Sequence, residues 1–330
     1  MSEVRAKKAL GQHFLVDLNI ARKICDALSG GERPGAGAET RANTAGYAGA
    51  GAEARTMAAG SADAGAETRN GDGAGMAADA RRAADTTAAG APAAAEEERG
   101  GAVPCDVLEV GCGMGVLTQY LLRRGDITTY GAEIDPESVG YLHAHFPEFA
   151  PRLIEGDFLK MDLRERFPRG LKIIGNFPYN ISSQIFFKVL EHRDLVPECV
   201  GMIQKEVAVR IAEPPGSKEY GILSVLLQAW YDIEYLFTVN ETVFNPPPKV
   251  KSAVIRLRRN SVGRLGCDEA LFVKVVKASF GQRRKMIRNS LRAVFGDFGG
   301  AEHPFFTQRA EQLSVADFVQ LTDWVAANRK

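Results

Sequence analysis

The sequence predicts an α/β protein of the doubly wound class, with a mostly parallel sheet and a small helical domain at the carboxyl terminus. Short apolar runs alternate with amphipathic segments between residues 103 and 259, as in a parallel sheet covered by helices. Glycines and polar residues follow several of these apolar runs, where the ligands of such sheets bind. After Ser261 the pattern becomes purely helical.

Composition limits the possible classes of protein. The chain has 330 residues and is 45% apolar, enough for a sizeable core and two domains, and its formal net charge is zero. Five scattered cysteines without a Cys-x-x-Cys pair favour reduced thiols in the cytoplasm and argue against disulfides or a metal site. Because no apolar run has membrane-spanning length and no signal-peptide core follows the charged amino terminus, we expect no membrane partner.

The amino-terminal residues 1–29 are predicted to form a basic arm and the first helix of a catalytic domain. Residues 2–10 carry three basic side chains against one acidic one. Apolar residues then recur at helical spacing from about Asp17 to Leu28, which predicts a helix there.

Segment 30–102 differs in kind from the rest of the chain. It is rich in Ala and Gly, has almost no Leu, Ile, Phe or Val, and repeats the sequence of residues 37–41 at residues 65–69. Such a segment buries too little apolar surface to offset its ordering entropy. We therefore predict a disordered insertion, with a partner-binding tether as the alternative.

Ordered structure is predicted to resume at Val103 and to place polar residues along one edge of the sheet. The predicted strands are 105–110, 127–133, a short strand ending at Gly156, 171–175 and 199–204, with helices at 116–124, 137–145 and 181–190 between them. The residues at the carboxyl ends of these strands are 109–115, Glu133, Asp157 and Asn176. Because the carboxyl ends of parallel strands share one edge, these residues should lie together.

The turn after the first of these strands has the sequence Glu-Val-Gly-Cys-Gly-Met-Gly, residues 109–115. The Gly-x-Gly-x-x-Gly pattern of dinucleotide-binding proteins is not met, because Val116 stands at the position of the third glycine. The turn is not a P-loop either, because no Lys-Ser/Thr pair follows the glycines. An acid two residues before the first glycine resembles the S-adenosylmethionine (AdoMet) loop of class I methyltransferases. Glu133 can accept from both ribose hydroxyls of a cofactor, although an NAD enzyme would use an acid there as well.

A second turn, Asn176-Phe177-Pro178-Tyr179, follows the apolar pair Ile173-Ile174. It offers the amide oxygen of Asn176, the carbonyls that flank Pro178, and the flat ring of Tyr179. An amino-bearing ring such as adenine needs acceptors for its N–H groups and an aromatic face. An ordinary strand-to-helix turn capped by Asn176 is the alternative.

The carboxyl-terminal third combines a rigid basic turn with helices. Residues 244–252 contain three consecutive prolines and precede a strand at 253–257, and helices are predicted at 268–280, 284–294 and 314–327. Thirteen Lys and Arg residues lie between Pro246 and Phe295, opposed within that range only by Asp268 and Glu269. This local basic field suits a nucleic-acid backbone, with Arg283, Arg284 and Lys285 as candidate contacts. A solvated basic face is the alternative.

The ordered set of motifs closely resembles the KsgA/Dim/Erm family of ribosomal RNA adenine dimethyltransferases, and within it the bacterial KsgA-type enzymes. The resemblance covers everything except residues 30–102. The motifs that carry it are residues 8–15, 109–115, 176–179, 204–207, 217–221, 244–252, 280–285 and 287–291.

The resemblance implies an enzyme that transfers four methyl groups from AdoMet to two adjacent adenines in the 3′-terminal hairpin of small-subunit rRNA. It implies a monomer that acts on the immature small subunit, with a Rossmann-like AdoMet-binding domain at 103–259 and a helical rRNA-binding domain at 260–330. By motif match, the cofactor contacts are His13, Leu15, Gly111, Glu133, Asp157 and Asn176. The catalytic residues are Asn176, Phe177, Pro178 and Tyr179, and Tyr179 and Phe244 sandwich the target base, although Phe244 could equally be a core residue.

Two residues depart from the family pattern. Cys112 stands where Pro is usual, and Phe177 stands where Leu is usual. Both are apolar and neither removes a polar group, so we expect activity to survive. The alternatives are an Erm-type enzyme acting on large-subunit rRNA, a DNA adenine methyltransferase, for which no separate target-recognition domain is found, and a non-catalytic rRNA-binding assembly factor.

Overall fold

The computed structural model describes residues 4, 6–7, 10–30 and 104–329. These residues belong to one compact unit. The predicted insertion at 30–102 lies, apart from Gly30, outside the described residues, so its disorder stays a prediction.

In the described part of the chain, seven strands form one sheet and two further strands form a separate pair. In chain order the strands are β1 (Phe14–Leu15), β2 (Cys105–Val110), β3 (Ile127–Glu133), β4 (Leu153–Glu155), β5 (Lys172–Asn176), β6 (Glu198–Gln204), β7 (Tyr231–Val239), β8 (Phe244–Asn245) and β9 (Ser252–Arg259). The sheet has the order β4-β3-β2-β5-β6-β9-β7, and β1 pairs with β8. Strands β2 to β6 are parallel, and β9 runs antiparallel to both of its neighbours. The predicted α/β class is therefore confirmed.

The described helices flank the sheet and follow it at the carboxyl end. They are α1 (Leu18–Asp26), α2 (Thr118–Leu121), α3 (Pro136–His145), α4 (Leu163–Arg166), α5 (Ser182–Glu191), α6 (Lys205–Ala212), α7 (Ile222–Gln228), α8 (Glu269–Gly281), α9 (Ile287–Phe295) and α10 (Val315–Asn328). Aspartates at the start of α1, α3, α4 and α8 accept backbone N–H groups of the first turn, which fixes where these helices begin. No helix in these described ranges is long and apolar enough to cross a membrane.

Helix α2 is shorter than the helix predicted at 116–124. The chain after Leu121 tightens, because Arg123 and Arg124 donate to carbonyls only three residues back. The backbone before α2 is a series of turns built on glycines with positive φ. The predicted helix is therefore wrong in length, although its place between β2 and β3 is right.

One hydrophobic core runs from the sheet into the carboxyl-terminal helices. It includes Ile173 of β5, Phe272 of α8, Leu291 of α9 and Phe318 of α10, all fully buried. The ring of Trp230, just before β7, meets the ring of Phe272 with centroids 6.0 Å apart. Helices α8–α10 thus pack on the rest of the protein through apolar side chains. A domain boundary at 259/260, directly after β9, stays a prediction.

A buried ion pair marks the amino-terminal edge of the sheet. Lys172 and Glu198 are the first residues of β5 and β6, are 3% and 2% exposed, and lie 3.2 Å apart. The Lys172 ammonium also donates to the carbonyl oxygens of Ser29 (3.1 Å) and Gly30 (2.8 Å). The Glu198 carboxylate accepts from the backbone N–H and hydroxyl of Ser29. The last described residues before position 31 are thereby fixed to this edge.

Candidate active site

A cavity opens at the opposite, carboxyl-terminal edge of the sheet. Its volume is about 1000 Å³ when counted out to its open mouth. Its walls are residues 10–14, 110–111 and 113, 132–134, 156–159 and 176–181. The turns after β2, β3, β4 and β5 therefore converge as the sequence predicted, and the segment before β1 completes the cavity.

Glycines let the turn after β2 come close to this cavity. Gly111 and Gly113 have φ values of +76° and +54°, which favour glycine. A Cβ on Gly113 would also approach the Phe14 ring to 3.2 Å. Cys112 lies in the same turn, where its buried sulfur occupies the space that a side chain at Gly131 would need. Cys112, which stands where the family usually has Pro, therefore fits as a small apolar side chain packed against Gly131.

Glu133 lines the cavity at the end of β3, with its carboxylate held by backbone groups. One oxygen accepts from Gly113 N at 2.8 Å, and the other accepts from Ile134 N and Asp135 N, each at 2.9 Å. Burial raises the pKa of Glu133, and the three backbone hydrogen bonds oppose that rise. The carboxylate is therefore fixed in one orientation, and its oxygens retain lone pairs for ligand donors.

Glu109, the acid of the glycine turn, does not line the cavity. It is 2% exposed, and the Thr118 hydroxyl of α2 donates to its carboxylate at 2.6 Å. Burial raises the pKa of Glu109 to about 8, against the lowering effect of the Thr118 hydrogen bond. This placement fits a role in orienting the glycine turn rather than contact with a cofactor.

Asp157, Phe158 and Leu159 form the part of the wall that follows β4. The Asp157 carboxylate accepts from Leu159 N at 2.9 Å and caps a short 3₁₀ helix, Phe158–Lys160. Asp157 thus keeps one carboxylate oxygen beyond this cap, and both Asp157 and Phe158 line the cavity. Asp157 lies after the end of β4, where the sequence predicted it.

The Asn176 amide is oriented by the amino-terminal segment. Its nitrogen donates to the backbone carbonyl of His13 at 2.9 Å. Because a carbonyl can only accept, this bond fixes which side of the amide is the oxygen. Within the described residues the oxygen has no protein partner, so it is an acceptor available to the cavity.

The backbone of the same turn carries a second acceptor. Phe177 N donates to the carbonyl of Met202 at 3.0 Å, which fixes the turn to β6. The carbonyl of Pro178 accepts from Ile181 N at 3.2 Å and is therefore occupied. In the described part of the chain, the Phe177 carbonyl makes no such bond. Of the two carbonyls that the sequence offered, Phe177 is the free one.

The Phe177 side chain is buried in the hydrophobic core. It is 1% exposed and lies over Gly175 of β5 and Gly201 of β6. A Cβ on either glycine would come within 2.5 to 2.8 Å of its ring. These two glycines provide the room for a Phe at this family position.

Tyr179 lies half-buried beside His13 at the mouth of the cavity. Its hydroxyl is 2.5 Å from the Ser252 hydroxyl, and its ring centroid is 5.4 Å from that of His13. His13 Nδ1 lies 2.9 Å from the carbonyl oxygen of Pro246, so Nδ1 is the donor. Burial raises the pKa of the Tyr179 hydroxyl. Both rings are therefore held in place by residues of the basic turn and β9.

Other predicted site residues do not line this cavity. Leu15 and Phe244 pair across β1 and β8 and are 2% and 3% exposed, within one hydrophobic cluster. Arg283, Arg284 and Lys285 are exposed in the turn between α8 and α9. Arg283 also donates to the Tyr220 carbonyl at 3.2 Å.

The basic field is smaller than the sequence window indicated. Arg256 pairs with Glu234 at 2.5 Å, Arg292 pairs with Asp297 at 3.1 Å, and Arg288 pairs with Glu302. These acids lie outside the window between Pro246 and Phe295. Among the described residues, no salt bridge is made by Lys249, Lys251, Arg264, Lys274, Lys277, Arg284 or Lys285.

Sequence reasoning missed most of the amino-terminal wall. Leu10, Gly11 and Gln12 line the cavity beside His13. Gly11 has a φ of +64°, and a Cβ there would meet the Asn180 side-chain oxygen at 2.6 Å. The Lys7 ammonium pairs with Asp135 and with Glu137, the latter at 3.0 Å, which ties this segment to α3. The available signals were Gly11 and the family motif at residues 8–15.

The order of the strands and the convergence of these turns define a class I methyltransferase fold, the fold of AdoMet-dependent methyltransferases. The described residues include no cluster of three or more His, Cys, Asp or Glu side chains that could hold a metal ion.

Residues 104–327 match the ribosomal RNA adenine dimethylase family, and the chain belongs to that family. A ribosomal RNA small subunit methyltransferase A from Parabacteroides distasonis is 47% identical over 324 residues, covering 98% of this chain and 94% of the relative. The protein of that name from Bacteroides thetaiotaomicron is 58% identical over 221 residues, covering 66% of this chain and 82% of the relative. A dimethyladenosine transferase from Plasmodium falciparum is similar in structure, with a TM-score of 0.57, 26% identity, and coverage of 68% and 90% of the two chains.

Proposed function

We propose that this protein transfers methyl groups from AdoMet to the exocyclic amino groups of two adjacent adenines in the 3′-terminal hairpin of small-subunit rRNA. The products are N6,N6-dimethyladenosines, and the reaction belongs to biogenesis of the small subunit in the cytoplasm. The observation that carries the proposal is the Asn176 amide, whose oxygen is held toward the cavity by the bond from its nitrogen to His13.

The cavity residues fit AdoMet. The fixed carboxylate of Glu133 has lone pairs for ribose hydroxyls, and Asp157 retains an oxygen for an adenine amino group. Phe158 and Ile134 offer apolar surface to the adenine ring. Gly111 has no side chain, so the cofactor can approach the backbone there and at His13 closely. When bound, AdoMet supplies a methyl group on a positively charged sulfur.

The chain's own contribution to the reaction is positioning. The amino nitrogen of adenine is a weak nucleophile because its lone pair is delocalised into the ring. The two N–H groups donate hydrogen bonds to the Asn176 oxygen and to the Phe177 carbonyl. These bonds draw the nitrogen toward tetrahedral geometry. The lone pair would then be available to accept the methyl group, with the bond from sulfur to that methyl group broken and one N–H proton released for each methyl group added. Both acceptors are fixed beforehand, to His13 and to Met202, so little reorganisation is needed.

Tyr179 supplies the aromatic face for the target base. Base stacking on an aromatic ring is worth about 1–3 kcal/mol. The hydrogen bond between Tyr179 and Ser252 and the neighbouring His13 ring keep this face in place. Phe244 is packed in the core, so its assignment as the second stacking partner rests on the family resemblance alone.

Lys and Arg side chains without acidic partners are the proposed RNA-docking groups. Arg284 and Lys285 are exposed after α8, and Lys249 and Lys251 are exposed in the basic turn beside Tyr179. Unpaired cations can neutralise phosphates and release counterions. The proposed partner is the immature small subunit, bound by a monomer of this protein.

A methyl-transfer assay tests this function. Purified protein is incubated with labelled AdoMet and, separately, with immature small subunits and with large-subunit rRNA. We expect label in the small-subunit rRNA only. Label in large-subunit rRNA would support the Erm-type alternative, and subunit binding without transfer would identify a non-catalytic assembly factor.

A further inference from the structure

Lys188 of α5 is a buried lysine next to the cofactor cavity. Its side chain is 9% exposed, and its ammonium donates to the backbone carbonyls of Leu159 (2.9 Å) and Met161 (2.6 Å). The same ammonium lies 5.5 Å from the centroid of the Phe158 ring. Burial of a charge is unfavourable unless acceptors surround it, and here the acceptors are backbone groups of a single turn.

These carbonyls lie at the end of the 3₁₀ helix Phe158–Lys160, where backbone oxygens lack partners within the helix. A positive charge is favoured at that end. At the other end, Asp157 accepts from Leu159 N at 2.9 Å. Asp157 therefore caps the amino end of the turn, and Lys188 caps its carboxyl end.

The turn held in this way is the part of the cavity wall formed by Asp157, Phe158 and Leu159. Lys188 belongs to α5, the helix that begins at Ser182, directly after the Asn176–Tyr179 turn. The catalytic turn itself is held by other bonds, to His13 and Met202. Lys188 therefore acts on one wall of the cavity and not on the two acceptors at the other.

We propose that Lys188 is a positioning residue for the adenine end of the cofactor, because it holds the turn that carries Asp157 and Phe158. This inference rests on the proposed use of AdoMet. Lys188 contributes to cofactor affinity, and it leaves the methyl-transfer step unchanged once cofactor is bound.

The test is Lys188→Met, which keeps a long apolar side chain and removes the donors. The carbonyls of Leu159 and Met161 then lose this donor, which destabilises the turn that carries Asp157 and Phe158. We expect the Kd for AdoMet, measured by calorimetry, to rise about tenfold. The Kd for S-adenosylhomocysteine rises equally, because both molecules carry the same adenosine. The kcat at saturating AdoMet changes less than about twofold.

Lys172→Met is the control for general destabilisation, because Lys172 is also buried and also holds two carbonyls, but at the opposite edge of the sheet, where it pairs in addition with Glu198. It should lower the melting temperature and leave the Kd for AdoMet unchanged. If Lys188→Met lowers only the melting temperature, or lowers kcat with unchanged Kd, the inference is wrong.

If Lys188→Met does not fold, Lys188→Gln, which retains an N–H donor, is titrated instead. We expect a smaller rise in Kd, and an unchanged Kd overturns the inference. Absence of AdoMet binding by the unmodified protein is a separate result, because it would refute the proposed function itself.

Discussion

The orientation of the Asn176 amide is fixed by residues far from it in the chain. The carbonyl that orients its amide belongs to His13, which is 163 positions earlier. His13 is in turn bonded through its ring to Pro246, in the basic turn. The orientation of one acceptor thus depends on two distant segments, and this arrangement supports a role in positioning.

Asn176→Ala should leave the fold intact and reduce methyl transfer by about 100-fold or more. Removal of one positioned hydrogen-bonding group typically costs a few kcal/mol in the transition state. The measurement is kcat with immature small subunits, with melting temperature and AdoMet affinity as controls for folding and binding. Turnover near that of the unmodified protein would remove Asn176 from the mechanism.

The raised pKa of Glu109 predicts how the free energy of unfolding depends on pH. Burial raises its pKa from an ordinary 4.5 to about 8. Between these values the folded protein binds a proton that the unfolded chain releases, so the free energy of unfolding decreases as pH rises from about 4.5 to about 8. Glu109→Gln cannot ionise, and its amide oxygen can still accept from Thr118.

We therefore expect the stability of Glu109→Gln to fall less between about pH 5 and about pH 8 than that of the unmodified protein. Urea unfolding at the two pH values measures the difference. Glu133, whose pKa is also raised and whose charge helps to raise the pKa of Glu109, is present in both proteins. Equal pH dependence in the two proteins would show that Glu109 does not titrate in this way.

At the scale of secondary structure, the buried strands were the easiest elements to predict. Strands β2 and β3 have the predicted bounds, because turn residues stand at their ends. Helices α6 and α7 and strand β7 were not predicted. Helix α7 is buried on almost every side and so lacks a polar face. Strand β7 has a register shift between Tyr235 and Phe237, which interrupts the alternation of a strand.

Pairings between distant segments were the second limit. The β1–β8 pair joins residues 14–15 to residues 244–245, and no local pattern indicates it. The same holds for the acids that pair with Arg256 and Arg288, because neither acid lies in the basic window. Candidate residues at the ends of strands were predictable from topology, whereas His13's bond to Pro246 and the burial of Phe244 required the tertiary structure.

The turn between α8 and α9 gives a prediction for RNA binding. Replacement of Arg283, Arg284 and Lys285 by Gln should weaken binding to immature small subunits. Each lost phosphate contact should also lower the slope of log affinity against log salt by about 0.7–0.9. AdoMet affinity should not change, because none of the three residues lines the cavity.

The measurement is subunit binding at several salt concentrations. Arg292→Gln is the matched control, because Arg292 lies on α9 but pairs with Asp297. We expect the control to retain the salt slope of the unmodified protein. An unchanged slope in the triple variant would leave these residues as ordinary solvated surface.

At the scale of the whole molecule, the two edges of the sheet carry different features. The carboxyl edge carries the cavity. The amino edge carries the Lys172–Glu198 pair, which fixes Ser29 and Gly30, and the start of β2 at Cys105 lies at this same edge. The described residues on both sides of the predicted insertion are therefore at the edge opposite the cavity.

Deletion of residues 32–100 should preserve the fold, AdoMet affinity and methyl transfer. The deleted segment lacks core-forming residues, and shortening a connection changes loop entropy by only a small amount. Soluble yield, melting temperature and kcat of the shortened protein provide the measurement. Insoluble expression, or a melting temperature far below that of the full chain, would show that the segment packs or binds.

The central claim is that one cavity dimethylates two adjacent adenines of small-subunit rRNA. Mass spectrometry of the 3′-terminal rRNA fragment, after reaction of immature small subunits with this protein and AdoMet, tests it most directly. The account predicts four added methyl groups, two on each of two adjacent adenines, and addition slowed by about 100-fold or more with Asn176→Ala. A fragment without added methyl groups, or with methyl groups on any other base, would contradict it.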